Sequence, residues 1–322
     1  MNLARGPSYS GLPADTDDPT KVQTKPTGFQ TALFVSNLLG AFAHATGIAV
    51  VGFSREGLHL PLSTISITNE EGTATPYIER LPGYDPVPVI RIFFGLSLAV
   101  HTLALVATVP LQCCANPVQR WYMRCLYNCI APWRWLEYFF SASTMIFLAA
   151  RLLSTSDVYL LTALTALMAT TMTFGWATEL YSCEFVTTGK PRKVLYWELT
   201  RFWKPRTCLQ RLSIHVLGYV PYITCWRIIL ALYDRNAAIM GEAAQKLWGA
   251  VYGSVISFSI FGLVQLVNQL LCFGPSVYWL GEVVYVVLSF ASKANLGFAV
   301  YIHVLANCTE CPIDGSIGLE VH

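Results

Sequence analysis

Four ionisable residues stand inside long apolar stretches of the sequence and are the first candidates for chemistry. Lys293 lies within the apolar run 283–296, Glu137 lies within another run, and His44 and His101 lie within two more. An ionisable side chain at the centre of a membrane span costs on the order of 3 kcal/mol on insertion scales, so one that persists there usually serves a site. These four residues indicate a functional site inside a membrane protein.

Lys293 has the chemistry of an amine nucleophile. An apolar environment disfavours the charged ammonium and increases the fraction of free amine, which condenses with an aldehyde to a Schiff base. A protonated Schiff base is a buried cation and requires an anion nearby. Glu137 is the candidate anion, and Arg134 and Ser141 lie three residues before it and four after it, on the same helical face.

A second set of polar residues lies on the same predicted helix as Lys293. Glu282, Ser289 and Lys293 recur at helical spacing, so they share one face. Ser289 lies one turn from the lysine, and Glu282 lies three turns away. Glu282 and Glu179 are also candidates for anchors at the membrane interface or for dimer contacts.

The composition of the chain is that of a membrane protein. Of its 322 residues, 54% are hydrophobic and 12% are charged, whereas soluble domains carry about 25% charged residues. This low charge density excludes a soluble globular enzyme and a disordered chain, and a net charge of +2 excludes a basic nucleic-acid binder. The sequence contains no phosphate-binding glycine-rich loop, His-Glu-x-x-His motif or Gly-x-Ser-x-Gly motif, so it predicts neither an enzyme nor a metal site. The predicted partner is the lipid bilayer.

Apolar stretches long enough to cross a bilayer recur along the chain. A hydrocarbon core of about 30 Å requires about 20 apolar residues in helical conformation. This criterion predicts an all-α membrane protein with a bundle of seven transmembrane helices. The predicted spans are residues 29–53, 88–110, 132–153, 158–183, 209–234, 245–271 and 278–306.

The distribution of Lys and Arg predicts the orientation of this bundle. These residues are more frequent in the connections on the side of the N-terminus, and Lys and Arg near membrane ends are retained in the cytoplasm. The prediction is a cytoplasmic N-terminal tail at 1–28, a seven-helix domain at 29–306 and an extracellular C-terminal tail at 307–322.

The first extracellular connection, residues 54–87, is the longest on its side. Polar and apolar residues alternate over 62–68, which is the pattern of a half-buried strand. Turn signals follow at Glu71-Gly72 and Pro82-Gly83. The pattern predicts a small β-hairpin that caps the bundle.

Several short motifs, taken together, resemble the heliorhodopsins, the branch of microbial-type retinal proteins with inverted membrane topology. The resemblance extends over residues 29–306, and the inverted topology agrees with the orientation derived above from loop charge. The motifs are Arg134-Trp135-Leu136-Glu137-Tyr138 with Ser141-Ala142-Ser143, Asn37-Leu38 with Ala43-His44-Ala45, His101, Phe174-Gly175-Trp176, and Ser289-x-x-x-Lys293.

The resemblance implies a chromophore and a role for each candidate residue. Lys293 would carry all-trans retinal as a protonated Schiff base, with Glu137 as its sole carboxylate counterion. The implied proton-transfer pocket, polar and cytoplasmic, contains His44, His101, Arg134, Ser141 and Ser289. The residues implied around the retinal are Met145, Gly175, Trp176, Phe258 and Gln265.

The resemblance also implies a light sensor with a slow photocycle, in which the Schiff-base proton moves to the polar pocket. Two carboxylates of outward proton pumps are replaced here by Ser289 and Leu148, which argues against active pumping. A light-gated passive proton channel is the first alternative, with Glu282 as a candidate on its path. A retinal-free seven-helix transporter or receptor is the second. A homodimer is implied by the family, and a signalling partner of unknown identity would receive the signal.

Overall fold

The computed structural model describes residues 28–52, 60–70, 73–109, 117–127, 130–187, 205–240, 242–271 and 275–300. The tail predicted at 307–322 lies outside the described residues, as does the tail predicted at 1–28 apart from Gly28. In the described ranges the chain forms seven long helices, one short helix and one pair of strands.

The helices of the described ranges begin at residues suited to a first turn. Five of the eight begin at a proline, whose fixed φ fits that position and whose missing N–H would be unpaired there anyway. The helices are α1 (Gly28–Gly52), α2 (Pro86–Thr108), α3 (Pro117–Tyr127), α4 (Pro132–Leu152), α5 (Val158–Thr187), α6 (Pro205–Met240), α7 (Glu242–Leu271) and α8 (Pro275–Val300).

Five of the long helices meet a length and hydropathy criterion for crossing a membrane among the described residues. These segments are Gln30–Val51, Pro86–Thr108, Val158–Leu180, Leu212–Ala237 and Leu247–Asn268. Each of the seven predicted spans overlaps one long helix, and α4 and α8, which carry Glu137 and Lys293, fall outside the criterion. The number of seven membrane crossings stays a prediction.

The long helices are arranged in a closed ring. Along the ring α1 packs on α2, α2 on α4, α4 on α5, and α5 through α8 follow in order, until α8 packs back on α1. Helix α4 also contacts α6, α7 and α8 across the ring, so one face of α4 lies at the centre of the bundle. This arrangement brings the polar face of α4 opposite the polar face of α8.

The short helix α3 was not predicted, because its eleven residues are too few for a span. It packs where α1, α4 and α8 begin, with Tyr122 stacked on Trp133 of α4 at a ring distance of 4.1 Å. Leu33 of α1 and Tyr278 of α8 belong to the same apolar cluster. We call this end of the bundle, which contains the first residues of α1, α4 and α8, the α4-start end.

Two antiparallel strands, β1 (Leu60–Glu70) and β2 (Thr73–Tyr84), occupy the connection for which alternation predicts a hairpin. Ser63 of β1 donates its backbone N–H to Ser156 O at 2.9 Å, which attaches the strands to the connection between α4 and α5. The turn predicted at Pro82-Gly83 is wrong. These two residues lie inside β2, opposite the single residue Pro61, where the register shifts, so they form an irregularity of the strand pair.

Candidate functional site

Lys293 and Glu137 form a buried ion pair between α8 and α4. The distance from Lys293 Nζ to Glu137 Oε1 is 2.9 Å, and the two residues are 2% and 5% exposed. Lys293 Nζ also donates to Ser289 Oγ at 2.5 Å, one turn earlier on α8. Ser97 of α2 donates its hydroxyl to the same Glu137 oxygen at 2.7 Å. A buried amine thus faces one carboxylate, and two hydroxyls bond to the pair.

His44 and His101 lie side by side between α1 and α2. Their rings stack with centroids 5.2 Å apart and an interplanar angle of 12°. His101 Nδ1 is 2.9 Å from Asn37 Oδ1, so His101 donates at this nitrogen. His44 is fully buried, and neither of its ring nitrogens has a hydrogen-bond partner among the described residues. A Cβ added to Gly40 of α1 would lie 2.9 Å from the His101 ring, so glycine allows this close approach.

Arg134 joins two further carboxylates at the α4-start end. Its guanidinium forms ion pairs with Glu179 of α5 and Glu282 of α8, and it lies 4.1 Å from the centre of the Tyr285 ring. Glu179 is 1% exposed. It also accepts a hydrogen bond from the Tyr278 hydroxyl at 2.8 Å and one from the Trp135 indole N–H.

The interface-anchor role considered for Glu179 and Glu282 disagrees with this burial and pairing. The only sequence signal for Glu179 is that it is the single carboxylate in the predicted span 158–183. That signal does not identify Arg134 as its partner, because the pairing depends on how α4 and α5 pack.

The buried charges of this region do not balance. Among the described residues, two cations (Lys293 and Arg134) face three carboxylates (Glu137, Glu179 and Glu282). Glu179 and Glu282 share the single guanidinium of Arg134, whereas Glu137 pairs with Lys293.

A large cavity extends from Lys293 between α4, α5, α6 and α7. The empty space in the cavity and at its mouth measures about 780 Å³. Its walls are mainly apolar and aromatic. Of the predicted residues, the wall contains Ser141, Met145, Gly175, Phe258, Gln265, Ser289 and Lys293. Trp135 and Tyr138, which were not assigned to the retinal pocket, also lie on it, whereas Trp176 does not.

A smaller and more polar cavity of about 440 Å³ lies on the other side of Glu137, toward the α4-start end. His101, Arg134, Glu137, Glu282 and Ser289 line it, together with Asn37 and Tyr122. Burial raises the pKa of the Tyr122 phenol, although Arg134 opposes this, so Tyr122 stays neutral.

His44 lines neither cavity, although it contacts His101. The resemblance places both Ser141 and Ser289 in the polar pocket. In the structure, Ser141 lines only the large cavity, whereas Ser289 lines both cavities.

Gly175 is required by the packing of the large cavity. A Cβ at this position would overlap the Trp135 ring, whose indole N–H bonds to Glu179. We expect Gly175→Ala to lower the free energy of unfolding in detergent by about 1–3 kcal/mol, because the ring must move from a packed position.

Gly95→Ala on α2 is the matched control, since a Cβ there meets no atom within 4 Å. Its free energy of unfolding should equal or exceed that of the wild type. Equal stability of the two variants would contradict the close packing of Gly175 on Trp135.

The residues of the large cavity fit a long apolar aldehyde. A buried primary amine stands at one end, the carboxylate that would balance a cation on its nitrogen lies 2.9 Å away, and aromatic rings form much of the wall. Such a site combines apolar walls with a few placed polar groups, as small-molecule sites generally do.

Comparisons with known proteins give a family and a set of similar solved structures. The family model described as Heliorhodopsin matches residues 33–305. Among solved structures, the transmembrane domain and linker region of Salpingoeca rosetta rhodopsin phosphodiesterase is similar, with 13% sequence identity and a TM-score of 0.48. That match covers 85% of this chain and 78% of the other. No curated protein matches the chain.

Proposed function

The chain belongs to the heliorhodopsin family of light-sensing retinal proteins, as its motifs predicted, and we propose that Lys293 is the residue that carries its retinal. The family and the apolar helices make it an integral, multi-pass protein of the lipid bilayer. We propose further that the retinal is all-trans and that the protein is a photosensor with a slow photocycle and no active pumping. Glu137 acts as the counterion in this proposal.

The observation that supports this function is the Lys293–Glu137 pair at the end of the large cavity. Condensation of the Lys293 amine with an aldehyde, with loss of water, leaves a nitrogen that is cationic when protonated. Glu137 Oε1, 2.9 Å from Nζ, balances that cation, and Ser289 and Ser97 orient the two groups through their hydrogen bonds. When bound, retinal supplies a light-absorbing polyene whose isomerisation starts the cycle.

The proposed proton path leads from Lys293 Nζ toward the α4-start end. Glu137 Oε1 is the first acceptor within reach, and the smaller cavity beyond it contains His101, Arg134 and Glu282. His44, stacked on His101, completes the polar group. Replacement of the carboxylates of outward pumps by Ser289 and Leu148 supports sensing rather than pumping.

The orientation and assembly belong to the same proposal. The excess of Lys and Arg on the N-terminal side supports a cytoplasmic N-terminus, which makes the α4-start end cytoplasmic and the strand pair extracellular. A homodimer and a separate signalling partner are proposed from the family resemblance.

Titration of the retinal-free protein with all-trans retinal tests the proposal. The expected result is a visible absorption band that saturates at about one retinal per chain, because one buried amine is available on the cavity wall. Protein that stays colourless in excess retinal would contradict it.

A passive, light-gated proton channel is the second candidate, and the smaller cavity favours it. This cavity joins Glu137 to Glu282, three helical turns from Lys293 toward the α4-start end. A sensing function predicts no light-evoked current in a voltage-clamped cell. A current whose reversal potential follows the proton gradient would favour the channel.

Glu282→Gln tests the path of such a current. This variant leaves the Lys293–Glu137 and Arg134–Glu179 pairs in place, so the visible band should persist. If Glu282 carries protons, the variant should reduce the current more than tenfold, whereas Asp234→Asn, at an exposed position on α6, should not change it. An unchanged current in Glu282→Gln would remove Glu282 from the path. The retinal-free alternative is not supported, because the family is one of retinal proteins.

A further inference from the structure

Two buried polar atoms on the wall of the large cavity have no hydrogen-bond partner among the described residues. They are His215 Nε2 on α6 and Gln265 Nε2 on α7. His215 is 8% exposed and Gln265 is 3% exposed. A buried polar atom without a partner is costly, and in native structures such an atom usually meets a ligand, a water molecule or an ion.

The two residues belong to one patch of the wall. Helices α6 and α7 are antiparallel, because Tyr222 meets Ser259 at 2.8 Å while Tyr219 lies against the later residue Gly262, where a Cβ would be 2.8 Å from the hydroxyl. One turn back along α6 from Tyr219 leads to His215. One turn forward along α7 from Gly262 leads to Gln265. Both therefore lie on the same side of the Tyr219–Gly262 contact.

The side-chain chemistry of this patch suits a hydroxyl group. The Tyr285 hydroxyl donates to Gln265 Oε1 at 2.7 Å, so the oxygen of the amide is paired and its nitrogen is not. The free amide nitrogen is a donor, and the ring nitrogen of His215 is an acceptor in one neutral tautomer. A hydroxyl accepts from the first and donates to the second.

His215 and Lys293 lie on helices that are not neighbours in the ring. Lys293 is on α8, His215 is on α6, and α7 stands between these helices in the ring. The large cavity extends over this whole distance, since both residues line it. A ligand attached to Lys293 by one end and extended along this cavity would meet the wall that contains the patch.

We propose that His215 and Gln265 bind a hydroxyl group on the end of the retinoid distal to its aldehyde, so that the protein prefers a ring-hydroxylated retinal to retinal itself. This inference rests on the proposed attachment of retinal to Lys293. It goes beyond that function because it assigns the chemical class of retinoid that the cavity selects.

Competition between aldehydes measures this preference directly. The retinal-free protein is mixed with equal amounts of all-trans retinal and 3-hydroxyretinal, and in a second series with 4-hydroxyretinal. The bound retinoid is then extracted and its composition is determined by chromatography. We expect at least one hydroxylated aldehyde to be retained in about five- to tenfold excess, which is the gain from one net hydrogen bond.

Two variants and one control connect that preference to the patch. His215→Phe and Gln265→Leu should each bring the ratio close to one, because each removes a hydrogen-bonding group while keeping a large side chain. Trp226→Phe is the control: Trp226 also has an unpaired buried nitrogen, but it does not line the cavity. It should keep the wild-type ratio. If one patch variant fails to fold, the comparison of the retained ratio between the wild type and the other patch variant tests the inference.

The outcomes separate this inference from the proposed function. Equal retention of all the aldehydes by a coloured wild-type protein would overturn the inference alone, and would indicate that water fills the patch. A preference that survives in both patch variants would overturn it as well. Protein that binds none of the aldehydes and stays colourless would overturn both the inference and the proposed function.

Discussion

Lys293→Ala is expected to abolish the visible band that all-trans retinal produces with the wild-type protein. The physical reason is that the structure offers one buried amine on the wall of the large cavity within the described residues, and alanine cannot form a covalent bond with an aldehyde. The absorption spectrum of purified protein after addition of excess retinal measures the effect. Loss of the band should be complete, because no other described residue supplies a nitrogen nucleophile at that end of the cavity.

Arg227→Ala is the matched control for this substitution. Arg227 is also a cation within a long apolar helix, but it lies exposed on the surface of α6. The control variant should bind retinal and show the wild-type band. Circular dichroism of the retinal-free Lys293→Ala protein shows whether its helices are intact. A folded Lys293→Ala protein that still develops the visible band would contradict the proposed attachment site.

The central pair could be predicted from the sequence because charges in apolar helices are rare. Lys293 and Glu137 stand out against their neighbours, and helical periodicity places Ser289 one turn from the lysine and Arg134 one turn from the glutamate. The sequence contains no information about the distance between the helices. The pairing of Lys293 Nζ with Glu137 Oε1 at 2.9 Å depends on the packing of α4 across the ring against α8.

Neutral partners of the site could not be predicted in the same way. Ser97 and Asn37 bond to Glu137 and His101, but serine and asparagine occur in many spans without a role. The residues that line the large cavity were also not all predictable from the sequence. Gly175 lines it while its neighbour Trp176 does not, because consecutive residues of a helix point about 100° apart.

The second large effect that we expect is a loss of stability when one partner of the Lys293–Glu137 ion pair is removed. In the retinal-free protein, Glu137→Gln leaves Lys293 buried beside a neutral amide, and Lys293→Met leaves the Glu137 carboxylate without its cation. Removing one partner of a buried pair typically costs about 3–5 kcal/mol, because the remaining charge is uncompensated. We expect each single variant to lower the free energy of unfolding by an amount in this range, measured by denaturant titration in detergent micelles without retinal.

The double variant Lys293→Met/Glu137→Gln distinguishes a coupled pair from two independent residues. It leaves neither charge, and its volume is close to that of the wild type, so it should lose much less stability than the sum of the two single variants. Replacing a buried ion pair by neutral groups of similar size is often close to neutral. Additive losses would mean that Lys293 and Glu137 do not interact in the folded protein. Since the counterion role is proposed from the contact between these two side chains, additivity would remove the observation on which it rests.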